Sequence, residues 1–329
     1  MNKYYLVTGG AGFIGSHVVD LLLKNNKKVK VIDNLSCGSM KNLLQHKNNK
    51  NLLFKKLDIR KIKKNEKFLK NCQRVIHLAG IGDIVPSINY PKNYYETNVT
   101  GTLNLLEYFK DKNIDKFVYA ASSSCYGKAL VPTKEDNKIN TLHPYALSKY
   151  MGEQLCLHWH NIYDFPVNSI RIFNAYGTRS KTSGAYGAVI GVFLKQILMN
   201  KPLTVVGDGK QKRDFLFVTD VAQAFYKASV TQFKGKIWNL GNGEAHTVNY
   251  LIKNLKYKRK VFIPDRPGEP RVTLADTTKI RKDLNWKPKV SFEKGIGIIL
   301  KNINYWKNAP LWTKGSIKQA TKDWFKYIK

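Results

Sequence analysis

A glycine-rich segment near the amino terminus constrains the fold more than any other feature of the chain. Its spacing fits both Gly9-x-x-Gly12-x-x-Gly15 and Gly10-x-Gly12-x-x-Gly15, and it follows a short apolar run at residues 4–8. Glycines at this spacing let the backbone pass close to a pyrophosphate, which then faces the N-terminus of the next helix. We therefore predict a strand–turn–helix unit that binds a dinucleotide. The predicted contacts in this unit are Gly9, Gly12, Phe13, Ile14 and Gly15.

The first half of the chain continues this alternation of strand and helix. Short runs rich in β-branched and aromatic residues are separated by helical stretches, which is typical of a parallel, doubly wound sheet. The predicted strands are residues 4–8, 29–32, 52–56, 75–78, 117–121 and 167–172. The predicted fold class is therefore α/β, with a doubly wound parallel sheet.

The second half of the chain is less regular. It has glycines between residues 177 and 191, a predicted strand at 203–206 and a Pro/Gly segment at 264–270. This composition suits a smaller substrate lobe built from loops and short elements. The tail from residue 292 onward is predicted to be helical. Its tryptophans, which we assign to packing rather than to stacking on a ligand, are Trp306, Trp312 and Trp324.

An acidic residue ends the second predicted strand. Asp33 follows Val31 and Ile32, where a carboxylate would accept hydrogen bonds from the hydroxyls of the adenosine ribose. A carboxylate there repels a 2′-phosphate, so NAD is favoured over NADP. Asp58 and Ile59, after the third predicted strand, are weaker candidates for contact with the adenine.

Tyr145 and Lys149 are four residues apart, so on a helix they share one face, one turn apart. A serine cluster, Ser122 to Ser124, lies between the glycine turn and this pair. A bound nicotinamide can oxidise an alcohol when a basic phenol beside it takes the proton of the hydroxyl group. The three features together indicate redox chemistry on a hydroxyl group.

Positive charge is the unusual feature of the composition. Lys and Arg number 56 against 23 Asp and Glu, which gives a formal net charge of +33. Nucleic-acid binding is one interpretation, and a bias toward Lys and Asn on solvated faces is the other. We favour the second and expect no nucleic-acid partner, because the lysines are scattered and the sequence has no nucleic-acid-binding motif. A positive field would still steer a doubly charged nucleotide substrate.

Cysteine use and hydropathy favour a cytoplasmic protein. The four cysteines form no CxxC pair, so we expect neither a disulfide framework nor a metal site. The longest apolar stretches, such as residues 188–194, are too short to span a bilayer, and we expect no membrane insertion. Because residues 4–8 lead directly into the glycine turn, we also expect no signal peptide.

Ten short segments, in order over nearly the whole chain, carry a resemblance to a known family. The chain resembles the extended short-chain dehydrogenase/reductases, in particular the nucleotide-sugar epimerases and dehydratases. No single segment is specific, but together they are. They are residues 8–15, 33–35, 58–59, 77–80, 98–102, 122–127, 145–149, 171–177, 207–215 and 266–269.

The resemblance implies two interleaved lobes. Residues 1–172 would form an NAD-binding Rossmann domain, rejoined by about residues 212–242. Residues 173–211 and 243–329 would form the lobe that binds the nucleotide sugar. A homodimer through a helix bundle that includes the helix of Tyr145 is also implied. Further cofactor contacts carried over from the family are Asn34, Leu78, Ala79, Gly80 and Asn98.

By the same resemblance, Tyr145 is the general base, Lys149 is its electrostatic partner and Ser122 bridges the sugar hydroxyl and Tyr145. A neighbouring ammonium and the positive nicotinamide ring would stabilise phenolate, so we expect the pKa of Tyr145 to be lowered. The next two positions, Ser123 and Ser124, hold an Asp and a Glu in related 4,6-dehydratases. Serine is a poor group for the proton transfers of elimination, so 4-epimerisation is favoured.

The family's contacts to the nucleotide sugar also map onto this chain. Arg213 and Arg266 match its diphosphate arginines, and guanidinium forks suit phosphate oxygens. Asn174 matches a diphosphate contact. Thr273 matches a gate beside the C2 substituent, where a small residue leaves room for an N-acetyl group. Ser122, Ser123 and Ser124 complete the predicted substrate contacts.

The predicted function is NAD-dependent 4-epimerisation of a UDP-hexose or UDP-N-acetylhexosamine. Two alternatives stay open at the level of sequence. One is a 4,6-dehydratase or reductase of a GDP-, dTDP- or CDP-sugar. The other is a basic nucleic-acid or membrane-surface binder that retains a dinucleotide fold.

Overall fold

The structure, a computed structural model, describes residues 3–180 and 189–328. Its strands are β1 (Tyr4–Thr8), β2 (Val29–Asp33), β3 (Leu52–Lys56), β4 (Cys72–His77), β5 (Lys116–Ser122), β6 (Val167–Ile172), β7 (Asn174–Tyr176), β8 (Leu203–Val206), β9 (Lys212–Arg213), β10 (Phe215–Phe217), β11 (Ile237–Leu240), β12 (His246–Thr247) and β13 (Lys260–Ile263). Its α-helices are α1 (Phe13–Lys24), α2 (Ile84–Asn89), α3 (Pro91–Tyr95), α4 (Gly101–Phe109), α5 (Pro144–Tyr163), α6 (Val189–Leu198), α7 (Val218–Val230), α8 (Val248–Asn254), α9 (Thr278–Leu284), α10 (Phe292–Lys301), α11 (Lys314–Ala320) and α12 (Lys322–Tyr327).

Seven parallel strands form the central sheet in the order β11-β6-β5-β4-β1-β2-β3. One apolar cluster joins the sheet to α1 and α7, and a second joins it to α4 and α5. Strands such as β2 and β5 are buried along their whole length because helices cover both faces. The predicted α/β doubly wound fold class is confirmed.

The strand order reverses between β1 and β4, since β2 and β3 lie on one side of β1 and β4 lies on the other. In open α/β sheets a ligand binds outside the carboxyl ends of the strands at such a switch point. The glycine turn follows β1 and the segment beginning at Leu78 follows β4. Both sequence motifs are therefore brought to the same crevice.

The predicted strand bounds agree closely with the observed ones. The predictions at 4–8, 52–56, 167–172 and 203–206 match β1, β3, β6 and β8 residue for residue. Strand β4 begins three residues before its predicted start, because the polar residues Gln73 and Arg74 also take part in the sheet. Polarity hid these two positions from a reading based on apolar runs.

Outside the central sheet, six short strands pair as β7 with β10, β9 with β12, and β8 with β13. A separate apolar cluster joins β7, β8, β10 and β13 to α6, α8 and α10. Part of the predicted glycine-rich loop, residues 181–188, lies outside the described residues. The domain boundaries stay a prediction, although β11 does return the chain to the central sheet beside β6.

The carboxyl-terminal tail is helical in three pieces, α10, α11 and α12, with a 3₁₀ turn at Ile303–Trp306. Trp306 and Trp324 are buried, as a packing role requires. Within residues 3–180 and 189–328, none of the helices combines the length and apolar character needed to cross a membrane.

Candidate active site

The glycine turn after β1 is tight enough to require glycine. Gly9 has a φ of +69°, and a Cβ there would lie 2.8 Å from the amide nitrogen of Ala79. The amide of Gly12 donates to the carbonyl oxygen of Gly9 at 3.0 Å, and α1 begins at the next residue. A Cβ on Gly15 would collide with the same carbonyl oxygen. The backbone therefore leaves the N-terminus of α1 open to a phosphate.

Buried polar side chains fix the segment after β4 against this turn. The Thr8 hydroxyl lies 2.7 Å from Nδ1 of His77 and accepts the amide of Ala79 at 3.1 Å. His77 is buried, and burial lowers its pKa to about 3, so the ring is neutral. Asn98 holds Ile81 through both backbone groups and donates to the Ser148 hydroxyl at 2.9 Å. Asn98 thus lies behind this segment, which it ties to α5.

Asp33 ends β2, and two backbone amides hold its carboxylate. Its two carboxylate oxygens accept the amides of Ala11 at 3.1 Å and Leu35 at 2.8 Å. Each oxygen can accept a further hydrogen bond, and Asp33 lines the cavity described below. A Cβ on Gly38 would come within 2.8 Å of Oδ2, so glycine lets the chain pass close to the carboxylate. Burial raises the pKa of Asp33, and the two amides oppose that effect.

Asp58 is occupied by protein partners. Arg60 pairs with it at 2.7 Å, and the Asn34 amide donates to it at 3.1 Å. The bond from Arg60 holds its pKa well below the usual range. Asp58 caps the short turn that buries Ile59 against Gly101. Asn34 and Ile59 line the cavity, whereas the described lining does not include Asp58.

A cavity of about 1130 Å³ opens at the switch point. Its volume lies just above the usual range for ligand pockets, which suits a molecule as large as a dinucleotide. The turn glycines, Asp33 and the pair Tyr145 and Lys149 share this cavity, so the residues fit NAD. The predicted residues that line it are Gly9, Gly12, Phe13, Ile14, Gly15, Asp33, Asn34, Ile59, Leu78, Ala79, Gly80, Tyr145 and Lys149.

The carboxyl-terminal tail also forms part of the cavity wall, which the sequence reading missed. Tyr305, Trp306 and Trp312 line the cavity, and the Tyr305 hydroxyl donates to Oδ1 of Asn42 at 3.2 Å. A cluster of tryptophans in the tail was visible in the sequence. Its place beside the cofactor turn depends on a contact across 263 residues, for which the sequence holds no local signal.

Helix α5 presents Tyr145 and Lys149 to the cavity. Pro144 occupies its first turn, and Nδ1 of His143 caps it by accepting the amide of Ala146 at 3.1 Å. The Lys149 ammonium lies 4.4 Å from the centre of the Tyr119 ring, where a cation–π contact compensates part of its burial. Burial lowers the pKa of Lys149 to about 8.

The protein's own groups raise the pKa of Tyr145 and favour the neutral phenol. Burial raises the pKa, a hydrogen bond from Ser122 lowers it, and the negative charge of Asp83 raises it further. The ring is desolvated because it packs against His143, with ring centres 5.8 Å apart, and against Tyr94. The predicted lowering includes the positive nicotinamide ring, so it stays a prediction for the NAD-bound protein.

The serine cluster lies where β5 ends. Ser122 is buried at the last position of the strand, and its hydroxyl accepts the amide of Ser124 at 3.2 Å. Ser123 and Ser124 are partly exposed in the turn that follows. Of the three serines, only Ser122 affects the pKa of Tyr145. The structure thus separates one serine beside the phenol from two in the adjoining turn.

A buried ion pair anchors α5 to the sheet. Glu153 and Arg171 pair at 2.5 Å with side chains that are 1% and 3% exposed. Ser169 donates to Glu153 at 2.7 Å, and Arg171 donates to the Tyr126 hydroxyl at 2.6 Å. The helix that carries Tyr145 is therefore fixed to β6 by a fully paired network.

The predicted nucleotide-sugar contacts form two pairs in the second part of the chain. Arg213 pairs with Glu269 at 2.6 Å, and Arg266 lies 3.6 Å from the other oxygen of the same carboxylate. The Thr273 hydroxyl donates to Oδ1 of Asn174 at 2.8 Å. None of these four predicted residues is among the described residues that line the large cavity. Their contact with substrate stays a prediction.

Comparisons with known proteins agree with this geometry. A family model described as the NAD dependent epimerase/dehydratase family matches residues 5–241. A putative UDP-glucose 4-epimerase from Methanocaldococcus jannaschii is 37% identical over 310 residues, with 92% of this chain and 98% of that protein covered.

Solved structures are similar over nearly the whole chain. A UDP-N-acetylglucosamine 4-epimerase from Methanobrevibacter ruminantium, in complex with UDP-N-acetylmuramic acid, is 32% identical with a TM-score of 0.85 and coverage of 92% and 99%. A UDP-glucuronic acid 4-epimerase from Bacillus cereus, with UDP-glucuronic acid and NAD, is 32% identical with a TM-score of 0.85 and coverage of 93% and 99%. The predicted family and cofactor are confirmed: this chain belongs to the NAD dependent epimerase/dehydratase family.

Proposed function

We propose that this protein is an NAD-dependent 4-epimerase of a UDP-hexose or a UDP-N-acetylhexosamine. The observation that carries the proposal is that Tyr145 and Lys149 line one cavity with the glycine turn and Asp33. When bound, NAD supplies a reversible hydride acceptor. The chain itself must then orient the sugar and manage one proton at its 4-hydroxyl.

Tyr145 and Ser122 are the groups that we assign to that proton. Ser122 can accept from the sugar hydroxyl and donate to the phenol oxygen, because a hydroxyl does both. Tyr145 takes the proton when the ketone forms and returns it when the alcohol re-forms. Lys149 contributes positive charge beside the phenol. Since burial alone raises the pKa of Tyr145, we expect the positive charge of oxidised NAD to be needed for efficient proton removal.

The serine pair after Ser122 favours epimerisation over elimination. A 4,6-dehydratase must move a proton from C5 and protonate a leaving hydroxide, for which carboxyl groups suit and serines do not. Ser123 and Ser124 occupy the positions where those carboxyl groups would stand. The oxidised sugar would therefore have one productive fate, which is return of hydrogen to the opposite face of C4.

The sugar nucleotide is proposed to lie on the side of Arg213 and Arg266. These two guanidinium groups share one carboxylate, Glu269, so the trio retains a net positive charge. That charge suits a diphosphate. Thr273 is small and bonds to Asn174, which supports a substrate with room for an N-acetyl group at C2.

Assembly and location are part of the same proposal. Leu147 and Met151 on α5 are 37% and 39% exposed, which suits burial of this helix in a homodimer. Light scattering of the purified protein would test the dimer. The cysteines in the structure are free, in keeping with a cytoplasmic site of action.

The test of function is incubation of the purified protein with separate nucleotide sugars, followed by chromatography of the products. The panel is UDP-N-acetylglucosamine, UDP-glucose, UDP-glucuronic acid, GDP-mannose and dTDP-glucose. We expect a 4-epimer pair from a UDP-hexose or UDP-N-acetylhexosamine. A 4-keto-6-deoxy product would instead establish a dehydratase and overturn the proposal.

A further inference from the structure

The last helix of the chain docks beside the proposed nucleotide-sugar site. After α10 the chain is fastened at several points, among them a bond from Gln196 to the carbonyl of Trp312 at 2.7 Å. Helix α12 follows and contacts α2. Its Trp324 donates the indole N–H to the carbonyl oxygen of Pro267 at 2.8 Å. The tail is therefore bonded to the Pro/Gly segment that carries Arg266.

Trp324 lies between Arg266 and His143, and His143 in turn stacks on Tyr145. The guanidinium carbon of Arg266 lies 5.7 Å from the centre of its indole ring, within cation–π range. On the other side the indole lies 6.4 Å from the ring of His143, which in turn stacks on Tyr145 at 5.8 Å. Trp324 is only 5% exposed, so this placement is fixed by packing.

Arg266 is one of two arginines that share the carboxylate of Glu269, and both are proposed to bind the diphosphate. Glu269 holds Arg213 at 2.6 Å and Arg266 at 3.6 Å. Arg213 is fixed by its short bond to Glu269, and the guanidinium of Arg266 lies over the ring of Trp324. A guanidinium loses much rotational freedom when it binds a phosphate. A flat aromatic face that already orients it lowers that cost.

We propose that Trp324 is a positioning residue for the diphosphate of the nucleotide sugar, acting through Arg266. The indole ring orients the guanidinium, and the indole N–H fixes the backbone of the segment that bears it. This inference rests on the proposed function, in which Arg266 binds the diphosphate. The inference gives the carboxyl-terminal helix an indirect effect on substrate affinity, exerted through Arg266.

The experiment is a double-mutant cycle read out by calorimetric binding of UDP to the NAD-loaded protein. The variants are Trp324→Leu, Arg266→Ala and the combination of both. Leucine keeps apolar volume but lacks a ring. We expect Trp324→Leu to weaken UDP binding roughly 3- to 30-fold, the range that a cation–π contact spans. We expect the double variant to bind no more weakly than Arg266→Ala alone, because the tryptophan acts through the arginine.

Two further variants separate positioning from general stability. Trp324→Phe keeps a ring face but lacks the indole N–H that bonds to Pro267, so it should weaken UDP binding less than Trp324→Leu does. Phe325→Ala, at a neighbouring side chain that is 46% exposed on the same helix, should leave UDP binding unchanged. In turnover assays Trp324→Leu should raise KM for the UDP-sugar with little change in kcat. NAD content should be unaffected.

The outcomes distinguish this inference from the proposed function. If Arg266→Ala weakens UDP binding while Trp324→Leu does not, or if the two effects add, the positioning role is overturned. If Arg266→Ala has no effect, the diphosphate role of Arg266 fails and the inference fails with it. If the cycle is non-additive but no UDP-sugar is epimerised, the positioning role stands and the proposed reaction is wrong.

Discussion

The cofactor side and the proposed nucleotide-sugar side of this protein are built in different ways. On the cofactor side, the crevice is formed mainly by backbone amides and glycines. The residues from Gly9 to Asp33 come from a single short stretch of chain. On the other side, Asn174 bonds to Thr273 across 99 residues and Arg213 pairs with a carboxylate 56 residues away. The cofactor side therefore depends on contacts that are local in sequence, and the other side depends on contacts between distant residues.

This difference explains which contacts each side can tolerate losing. We expect backbone contacts on the cofactor side to tolerate most side-chain changes, apart from those at the glycines and Asp33. Side chains on the proposed nucleotide-sugar side are held by one another, so we expect a change at one of them to alter the position of the next. Helix α5 carries Tyr145 and Lys149 at the cofactor cavity, and its N-cap residue, His143, packs near Trp324.

The largest effect is expected where the two sides meet. Tyr145→Phe removes the proton acceptor but keeps the ring that packs on His143. We expect kcat to fall by about 10²- to 10⁴-fold, the usual contribution of a general base. NAD content and UDP affinity should be retained. Tyr150→Phe, in the same helix, is the matched control and should be nearly fully active; equal loss in both variants would refute the assignment.

Removing the anchor of α5 should disturb both sides together. Glu153→Ala leaves the buried guanidinium of Arg171 unpaired, so we expect the free energy of unfolding to fall by about 3–5 kcal/mol. Urea denaturation measures this directly. Lys234→Ala, which breaks an exposed ion pair with Asp164, should cause a far smaller loss. Similar losses in the two variants would show that the buried network does not anchor the helix.

A substitution confined to the cofactor side should weaken NAD binding without changing UDP binding. Asp33→Ala removes the proposed acceptor of the ribose hydroxyls, and loss of a charge-assisted hydrogen bond of about 1.5–3 kcal/mol predicts NAD binding weaker by roughly 10- to 150-fold. UDP affinity should not change. Asp58→Ala is the comparison, because Asp58 is already occupied by Arg60. A stronger effect from Asp58 than from Asp33 would reverse our assignment.

The smallest effect concerns pH. The negative charge of Asp83 raises the pKa of Tyr145, as burial does more strongly, while Ser122 lowers it. Asp83→Asn removes that charge and stabilises phenolate, so the rise of kcat/KM with pH should move to lower pH. Asp111→Asn, at an exposed position after α4, should leave the profile unchanged. A move to higher pH would contradict the stated influence of Asp83.

The sequence predicted the first strands and the glycine turn between β1 and α1 well, because their signals are local. Glycine spacing and the aspartate after β2 follow from backbone rules that act over a few residues. The carboxyl-terminal tail shows the limit, because the tryptophans were visible but their contacts with the cavity and with Arg266 arise only in the folded chain. The pKa of Tyr145 shows a second limit. Spacing predicted a neighbouring ammonium, but burial, which a sequence does not specify, determines the direction of the shift.

In epimerisation by reversible oxidation, the same hydrogen leaves C4 of the sugar and returns to it. A UDP-sugar carrying deuterium at C4, in the form that is turned over in the chromatographic test, is the direct probe when the reaction is run in ordinary water and followed by NMR. We predict that the deuterium remains at C4 in both epimers at equilibrium, with a slower rate than for the unlabelled sugar. Exchange of the label with solvent hydrogen would contradict reversible oxidation at C4.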